Sequence, residues 1–509
     1  MRVWWMMTQS KPIFNSVLLL TITMVIVKSL SAIYRVPYQN ILGDEGLYAY
    51  QQVYPLVAIV SVVSLNALPS VMSSWMIKRP QTTISALFWW LQSICLTISI
   101  GVLIFAPTIS SWMGDIQLTP MIRMASIALI PLVFISMVRG YYQMKHQMNT
   151  IAISQVIDQV LRVIVIFIAI SVFMYMDVSI YQAGTIAISG SVIGLFSIVL
   201  YFYLKRKPNI HFSWEINFND LKDVIIMTVL YAISYLILIL WQLVDSFTLI
   251  HLLQDTGYTF QESIKVKGIF DRGASLIQMG LIITTTFSFV LIPLLTEELQ
   301  KKNHHLVNEY ANTSLKITVL FSMAAAIGLI NLLPLLNTVF FKTNELVGTL
   351  SVFMLSVVFV TFIIMYTALL QVKARRSVLL IALIIGLLFK SIGNYVFVMQ
   401  FGIFGASLAT VISLGIYALT LHIIVMKLYR FQNMGLFIAK VIFTLTIMSG
   451  LVQIVLSIPA QSRLSSLLVL VLAGIVGVII VLLGIIKLKI LKREECQHLP
   501  LMDKLMKEK

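Results

Sequence analysis

Apolar positions along the chain gather into runs of membrane-spanning length. They lie near residues 13–34, 47–71, 83–106, 122–142, 151–174 and 181–204. A second series lies near 223–250, 272–296, 313–336, 346–370, 377–398, 402–426, 437–458 and 464–486. A bilayer core takes about 20 apolar residues per helix, so each run predicts one crossing. The longest polar break between the two series is Lys205–Lys222, KRKPNIHFSWEINFNDLK. A tight outer turn is predicted after Pro37, and shorter polar stretches cover 251–271, predicted as an outer loop, and 297–314. The pattern therefore predicts an all-α polytopic membrane protein of about fourteen transmembrane helices.

The same pattern carries an internal echo. Gln143-Met-Lys145 precedes the intramembrane Arg162, and Gln371-Val-Lys373 precedes the intramembrane Lys390. Gly184, Gly194 and Arg206 recur in the same order as Gly405, Gly415 and Lys427, while Pro69 and Pro293 occupy similar late positions in their runs. The expected organisation is two pseudo-symmetric six-helix lobes, 1–206 and 223–430, joined by the cytoplasmic linker 207–222. Two further helices occupy 431–486, and a basic tail occupies 487–509. Repeated bundles around a central site are a common transporter design.

Charge orients this arrangement. The net charge of +16 on 59% hydrophobic sequence would suit nucleic acid if it were clustered, but it is spread through short loops. Alternate loops hold most of it, including Lys78, Arg79, Arg139, Lys145, Lys205, Lys301, Lys316, Lys373, Arg376 and the cations from Lys487 onward. The opposite loops hold far fewer: Arg35, Arg123, Lys265, Lys267, Arg272, Lys342 and Arg463. That asymmetry predicts both termini in the cytoplasm of a bacterial plasma-membrane protein. The first run lacks a small-residue cleavage site and is expected to stay as a helix; Met7 is a second candidate start. Cys95 and Cys496 offer no disulfide framework, and no metal-ligand spacing, P-loop or nucleophile elbow occurs. The expectation is a protein that is no enzyme, with no cofactor, no metal and no nucleic-acid partner.

Candidate chemistry centres on isolated charges. Lys28 and Arg35 lie about two turns apart, on one face of the first helix. A cation in hydrocarbon costs at least about 2.5–3.5 kcal/mol, so two on one face suit a water-filled or anion-binding interior. The alternative has Arg35 snorkelling to the interface and Lys28 paired with a buried acid. Asp158 and Arg162 stand four apart with Gln155 and Gln159 nearby, spacing for a local ion pair, with a coupling role for Asp158 as the alternative. Lys390 with Asn394 repeats that polar face without a carboxylate, so Arg162 and Lys390 are read as structural. Asp44 and Glu45 are read as solvated loop acids or gate partners, and Asp245 and Asp271 as interfacial pairs or gate residues. Tyr48, Tyr50 and Tyr54 suit an interface or a portal.

A first helix with an intramembrane Lys and a terminal Arg-x-Pro, followed by ILGDEGLYAYQ, resembles the stage V sporulation protein B group of polysaccharide transporters. So does RGYYQMKHQMNTIAISQVIDQVLRVI. The resemblance runs from about Leu20 to Tyr429. That group belongs to the multidrug, oligosaccharidyl-lipid and polysaccharide exporter superfamily and is similar to the MurJ lipid II flippases. The resemblance implies two lobes around a V-shaped cavity and alternating access. The cargo it implies is an undecaprenyl-pyrophosphate-linked saccharide. It carries cavity roles onto Lys28, Arg35 and Arg272, with Lys28 standing where such flippases often have Arg. Expected partners are the lipid-linked saccharide, membrane lipids and other polysaccharide or cell-wall synthesis proteins. The competing readings are a drug or cation antiporter, which wants carboxylates in a central pocket, and a membrane-embedded polymerase or ligase, which wants a larger outer domain.

Overall fold

The computed structural model describes Thr23, Val27, Leu30, residues 34–205, 211–215, 217–289, 292–373 and 376–491, and Glu495; side chains of 283–294 and Arg376 are excepted. Lys28 and most of the predicted first span lie outside the described residues, as do Arg206, Lys207, Arg375 and Cys496. Among the described residues the regular structure is helical throughout.

The chain divides into two compact units, Met1–Asp271 and Arg272–Lys509. The first contains α1 (Arg35–Lys78), α2 (Gln81–Trp112), α3 (Ile116–Met144), α4 (Met148–Tyr175), α5 (Ile180–Tyr203) and α6 (Phe218–Asp255). The start of α7 (Phe260–Phe289) belongs to it as well. The second continues with α8 (Ile292–Gln300). It then holds α9 (His304–Phe341), α10 (Val347–Val372), α11 (Ser377–Phe401), α12 (Ile403–Leu428), α13 (Met434–Leu456) and α14 (Arg463–Lys487). Among the described residues, α1–α6 and α9–α14 are the 12 helices long and apolar enough to cross a membrane.

Within unit one, α1 is the central helix, touching α3, α4, α5 and α6, while α4 and α5 pack along their lengths. Small residues let them approach. At Gly194 of α5 an added Cβ would lie 2.9 Å from the Asp158 carbonyl oxygen of α4. Such contacts allow close helix approach where lipid supplies no hydrophobic drive between helices. In unit two, α12 packs on α10 and α11, and α13 and α14 pair and lie against α9. There Asn331 Oδ1 of α9 accepts hydrogen bonds from Ser449 Oγ (3.0 Å) and Gln453 Nε2 (2.9 Å) of α13.

Three expectations about loops are corrected. The predicted turn after Pro37 is instead helical, since Tyr38 N–H bonds Tyr34 C=O at 3.1 Å. The break falls at Gly43, whose φ of 76° suits a residue without Cβ. The predicted outer loop 251–271 is helical from Phe260 onward. Its charges looked like solvent exposure, but Lys267 and Asp271 are buried and bond each other. The 297–314 stretch is likewise short of a loop, because α8 runs to Gln300 and α9 starts at His304.

Candidate functional site

In unit one the geometry builds outward from Arg35. Arg35 is 1% exposed, and its guanidinium sits 5.4 Å from the Tyr54 ring centroid, within cation–π reach. Tyr54 is one of four tyrosines in contiguous ring contact. Tyr50 meets Tyr54 at 5.8 Å, Tyr38 at 5.4 Å and Tyr34 at 6.2 Å between centroids. The Tyr34 and Tyr50 hydroxyls are 3.1 Å apart. The sequence brings them together because 34 and 38 share a face before Gly43, while 50 and 54 share a face after it. The kink lays one pair on the other. Tyr48 points elsewhere: its hydroxyl and that of Tyr181 donate to Asp115 Oδ2, at 3.3 and 2.7 Å.

Next to this cluster lies a set of buried acids and bases. On α7, Lys267 Nζ donates to Asp271 Oδ1 and Oδ2 at 2.6 and 2.7 Å, both side chains nearly without solvent contact. Asp245 of α6 is buried, and both it and Arg35 interact electrostatically with Asp271. Gly268, on the same helix, abuts the Asp44 carbonyl so closely that a Cβ would overlap it. Asp44 itself accepts from Gln39 Nε2 at 3.0 Å, whereas Glu45 is half-buried.

On the far side of the tyrosines, Arg162 of α4 donates to Asp158 Oδ1 and Oδ2 (3.3 and 3.1 Å) and to Ser61 Oγ (3.2 Å). The Arg162 charge also acts on Tyr34, Tyr50 and Tyr54. Gln155 and Gln159 are buried on the same helix. Unit one thus brings Arg35, Arg162 and Lys267 together with Asp158, Asp245 and Asp271 into one buried polar region, in which Arg162 and Lys267 each bond a carboxylate of their own helix. The described residues hold no group of His, Cys, Asp and Glu fit for a metal ion.

In unit two, Arg272 is fully buried and donates Nη1–H to Thr343 Oγ1 at 2.8 Å, with the Phe341 ring centroid 5.2 Å from the guanidinium. Lys390 is fully buried in the middle of α11 and donates to Thr410 Oγ1 of α12 at 2.6 Å. Asn394, one turn on, is buried at the start of a π turn. Two charged residues assigned to inner loops are also buried here or in unit one. Lys316 of α9 pairs with Glu495 at 2.6 Å, tying the segment after α14 to that helix.

The second is Arg139, in α3. A turn of π-helix, Val63–Ala67, interrupts α1, and the Leu68 N–H bonds the Val63 carbonyl. The next residue, Pro69, has no N–H to give, so the Ser64 carbonyl lacks a donor from its own helix. Arg139 Nη1 supplies one at 3.1 Å, and its Nε donates to Ser154 Oγ of α4 at 3.1 Å. Pro69 in an apolar run was the available signal: a proline there leaves a buried carbonyl that another element must satisfy.

With this geometry in view, the family model for polysaccharide biosynthesis proteins matches residues 13–299. An uncharacterized membrane protein of Bacillus subtilis, YabM, is 33% identical over 421 residues, 79% of this chain and 77% of its own length. The lipid II flippase MurJ of the same organism is 26% identical over 320 residues, 57% of this chain and 56% of its own. A solved lipid II flippase MurJ, in an inward closed conformation, shares the fold with a TM-score of 0.69. It is 16% identical and covers 92% of this chain and 99% of that one.

Proposed function

The chain belongs to the polysaccharide biosynthesis protein family, within the multidrug, oligosaccharidyl-lipid and polysaccharide exporter superfamily, and on that premise we propose that it is a flippase. Its cargo is an undecaprenyl-pyrophosphate-linked saccharide, moved from the inner to the outer leaflet of the bacterial plasma membrane by alternating access. Both termini lie in the cytoplasm on this reading, as the loop cations favour.

The observation that carries the reading is the setting of Arg35. Arg35 sets a guanidinium over the Tyr54 ring and beside Tyr34 and Asp271, and a diphosphate oxyanion has to compete with these groups for it. Its planar fork matches a phosphate edge bidentately. Arg272, set against Phe341, has the same chemistry. In this mechanism Lys28, Arg35 and Arg272 each lower the cost of carrying the diphosphate's negative charge through a medium of low dielectric. The polyprenyl chain remains in lipid. Asp245 and Asp271 compete for the cations once the headgroup leaves, which gives release a driving force. The reading of a drug antiporter is less favoured, because Asp158 and Asp271 already bond cations of their own helices.

The test is flipping of a fluorescent undecaprenyl-pyrophosphate saccharide in proteoliposomes. Arg35→Ala and Lys28→Ala are each expected to abolish flipping with insertion intact. Arg35→Lys should keep a fraction if charge alone matters and little if the bidentate fork does. Full flipping by the Lys28→Ala, Arg35→Ala double variant overturns the mechanism.

A further inference from the structure

Where α1 and α5 end and α2 and α6 begin, unit one carries a layer of aromatic side chains built by the segment between α5 and α6. Residues 211–215 cross the side of α2, held by its backbone. Trp89 Nε1–H donates to the His211 carbonyl and Trp90 Nε1–H to the Trp214 carbonyl, both at 3.1 Å. The His211 N–H in turn donates to Ser85 Oγ at 3.2 Å. Rings pack edge to face along the crossing: Trp89 on Phe212 at 5.4 Å, Trp90 on Trp214 at 5.3 Å and Trp90 on Phe218 at 5.6 Å. The strap is thus fixed by its indole–carbonyl bonds. It nevertheless leaves Phe212 70%, Trp214 42% and Phe218 66% exposed. Three rigid rings turned outward need an apolar neighbour that this unit does not supply.

The charges around the layer say which neighbour. Lys78, Lys205 and Lys222 are exposed at the helix ends that border it. Arg79 reaches across to Asp220 at 2.8 Å and so ties the end of α1 to the start of α6. The acids left facing solvent nearby are Glu215 and Asp223. Ammonium groups bordering a plane of Trp and Phe match a leaflet whose phosphates lie just above its acyl boundary.

We propose that this strap is a binding site for anionic glycerophospholipid. Phe212, Trp214 and Phe218 sit in the acyl boundary, and Lys78, Lys205 and Lys222 hold the headgroup phosphate. The site is separate from the Arg35 region and does not depend on which way the protein crosses the membrane.

The experiment is native mass spectrometry of the full chain released from nanodiscs of equal phosphatidylglycerol and phosphatidylcholine. Wild type should retain phosphatidylglycerol in preference. Each of Lys78→Gln, Lys205→Gln and Lys222→Gln should lower that retention about fivefold, as expected for one surface cation at a charged leaflet. Phe212→Ser with Phe218→Ser, both on exposed rings, should lower retention of the two lipids alike. Equal retention of the two lipids by wild type overturns the proposal and leaves the rings to a protein partner. So does phosphatidylglycerol retention unchanged in the triple Gln variant.

Discussion

Arg162 of unit one and Lys390 of unit two are both cations buried within a helix, and they are satisfied in different ways. Arg162 has a carboxylate on its own helix, bonded through both oxygens, and a serine hydroxyl beside it. Lys390 donates to the hydroxyl of Thr410 on the neighbouring helix at 2.6 Å. The difference concerns what each charge needs in order to stay buried. A paired ion depends on its partner, because removing one member strands the other. A cation held by hydroxyls and dipoles depends on many weak contacts and can be exchanged for an apolar side chain more cheaply.

The largest effect follows from stranding a charge. Asp158→Ala should cost about 3–5 kcal/mol, because Arg162 loses its carboxylate in a buried site. Thermal melting in nanodiscs reads this directly. The double variant Asp158→Leu, Arg162→Met should recover most of the loss, since both charges leave together. No recovery would mean that Arg162 has a second essential acid.

Gly194→Ala comes next, at about 1–3 kcal/mol, since its Cβ would press on the Asp158 carbonyl at 2.9 Å. Such a clash should separate α4 from α5, and an unchanged melting temperature would sink the close-approach account. On the other side of the comparison, Thr410→Val should cost about 1–3 kcal/mol in wild type, the penalty for a buried donor losing its acceptor. In a Lys390→Met background the same change should be near neutral, and Lys390→Met alone should leave stability close to wild type. Thr410 keeps its own bond to the Ala406 carbonyl at 2.9 Å in that background. Equal costs in the two backgrounds would show that the Lys390–Thr410 bond is not what the threonine contributes.

The smallest effect is on pH dependence, at Asp115, between α2 and α3. Burial raises its carboxyl above the usual carboxylate range, against the opposing hydrogen bonds from Tyr181, the Gln117 amide and Tyr48. A raised folded-state pKa stabilises below the unfolded value, near ~3.9, and that contribution is lost as pH rises through the folded one. Melting temperature measured from acid toward neutral pH should therefore fall slightly more in wild type than in Asp115→Asn. Parallel curves would remove Asp115 from the balance.

Hydropathy located the helices well because lipid imposes length and apolarity on every crossing, and α4, α5, α10 and α12 start and end within a few residues of their predicted runs. The spacing of Asp158 and Arg162 also foretold their contact, since residues four apart on a helix are neighbours. What escaped were charges taken for signs of water. Lys267 and Asp271 have that same spacing, yet their number among 251–271 suggested a loop. Arg139 looked like an inner-loop cation because nothing local to it names the Ser64 carbonyl as its acceptor. The tyrosines around Arg35 were separated in sequence by a kink that hydropathy does not register. Composition reports how polar a stretch is; it says nothing of which partner removes the cost of burying it.

The π turn in α1 has a consequence for insertions and deletions. Such a turn places one more residue in a helix than regular winding would, while leaving the flanking segments facing the same way. Deleting one residue from Val63–Ala67 would convert the turn to ordinary helix and keep Leu68–Lys78 on its present face. Deleting one anywhere else in α1 would rotate all that follows by about 100°. Length polymorphism in this helix should therefore concentrate at that one turn, and Arg139 would be the residue freed to change with it.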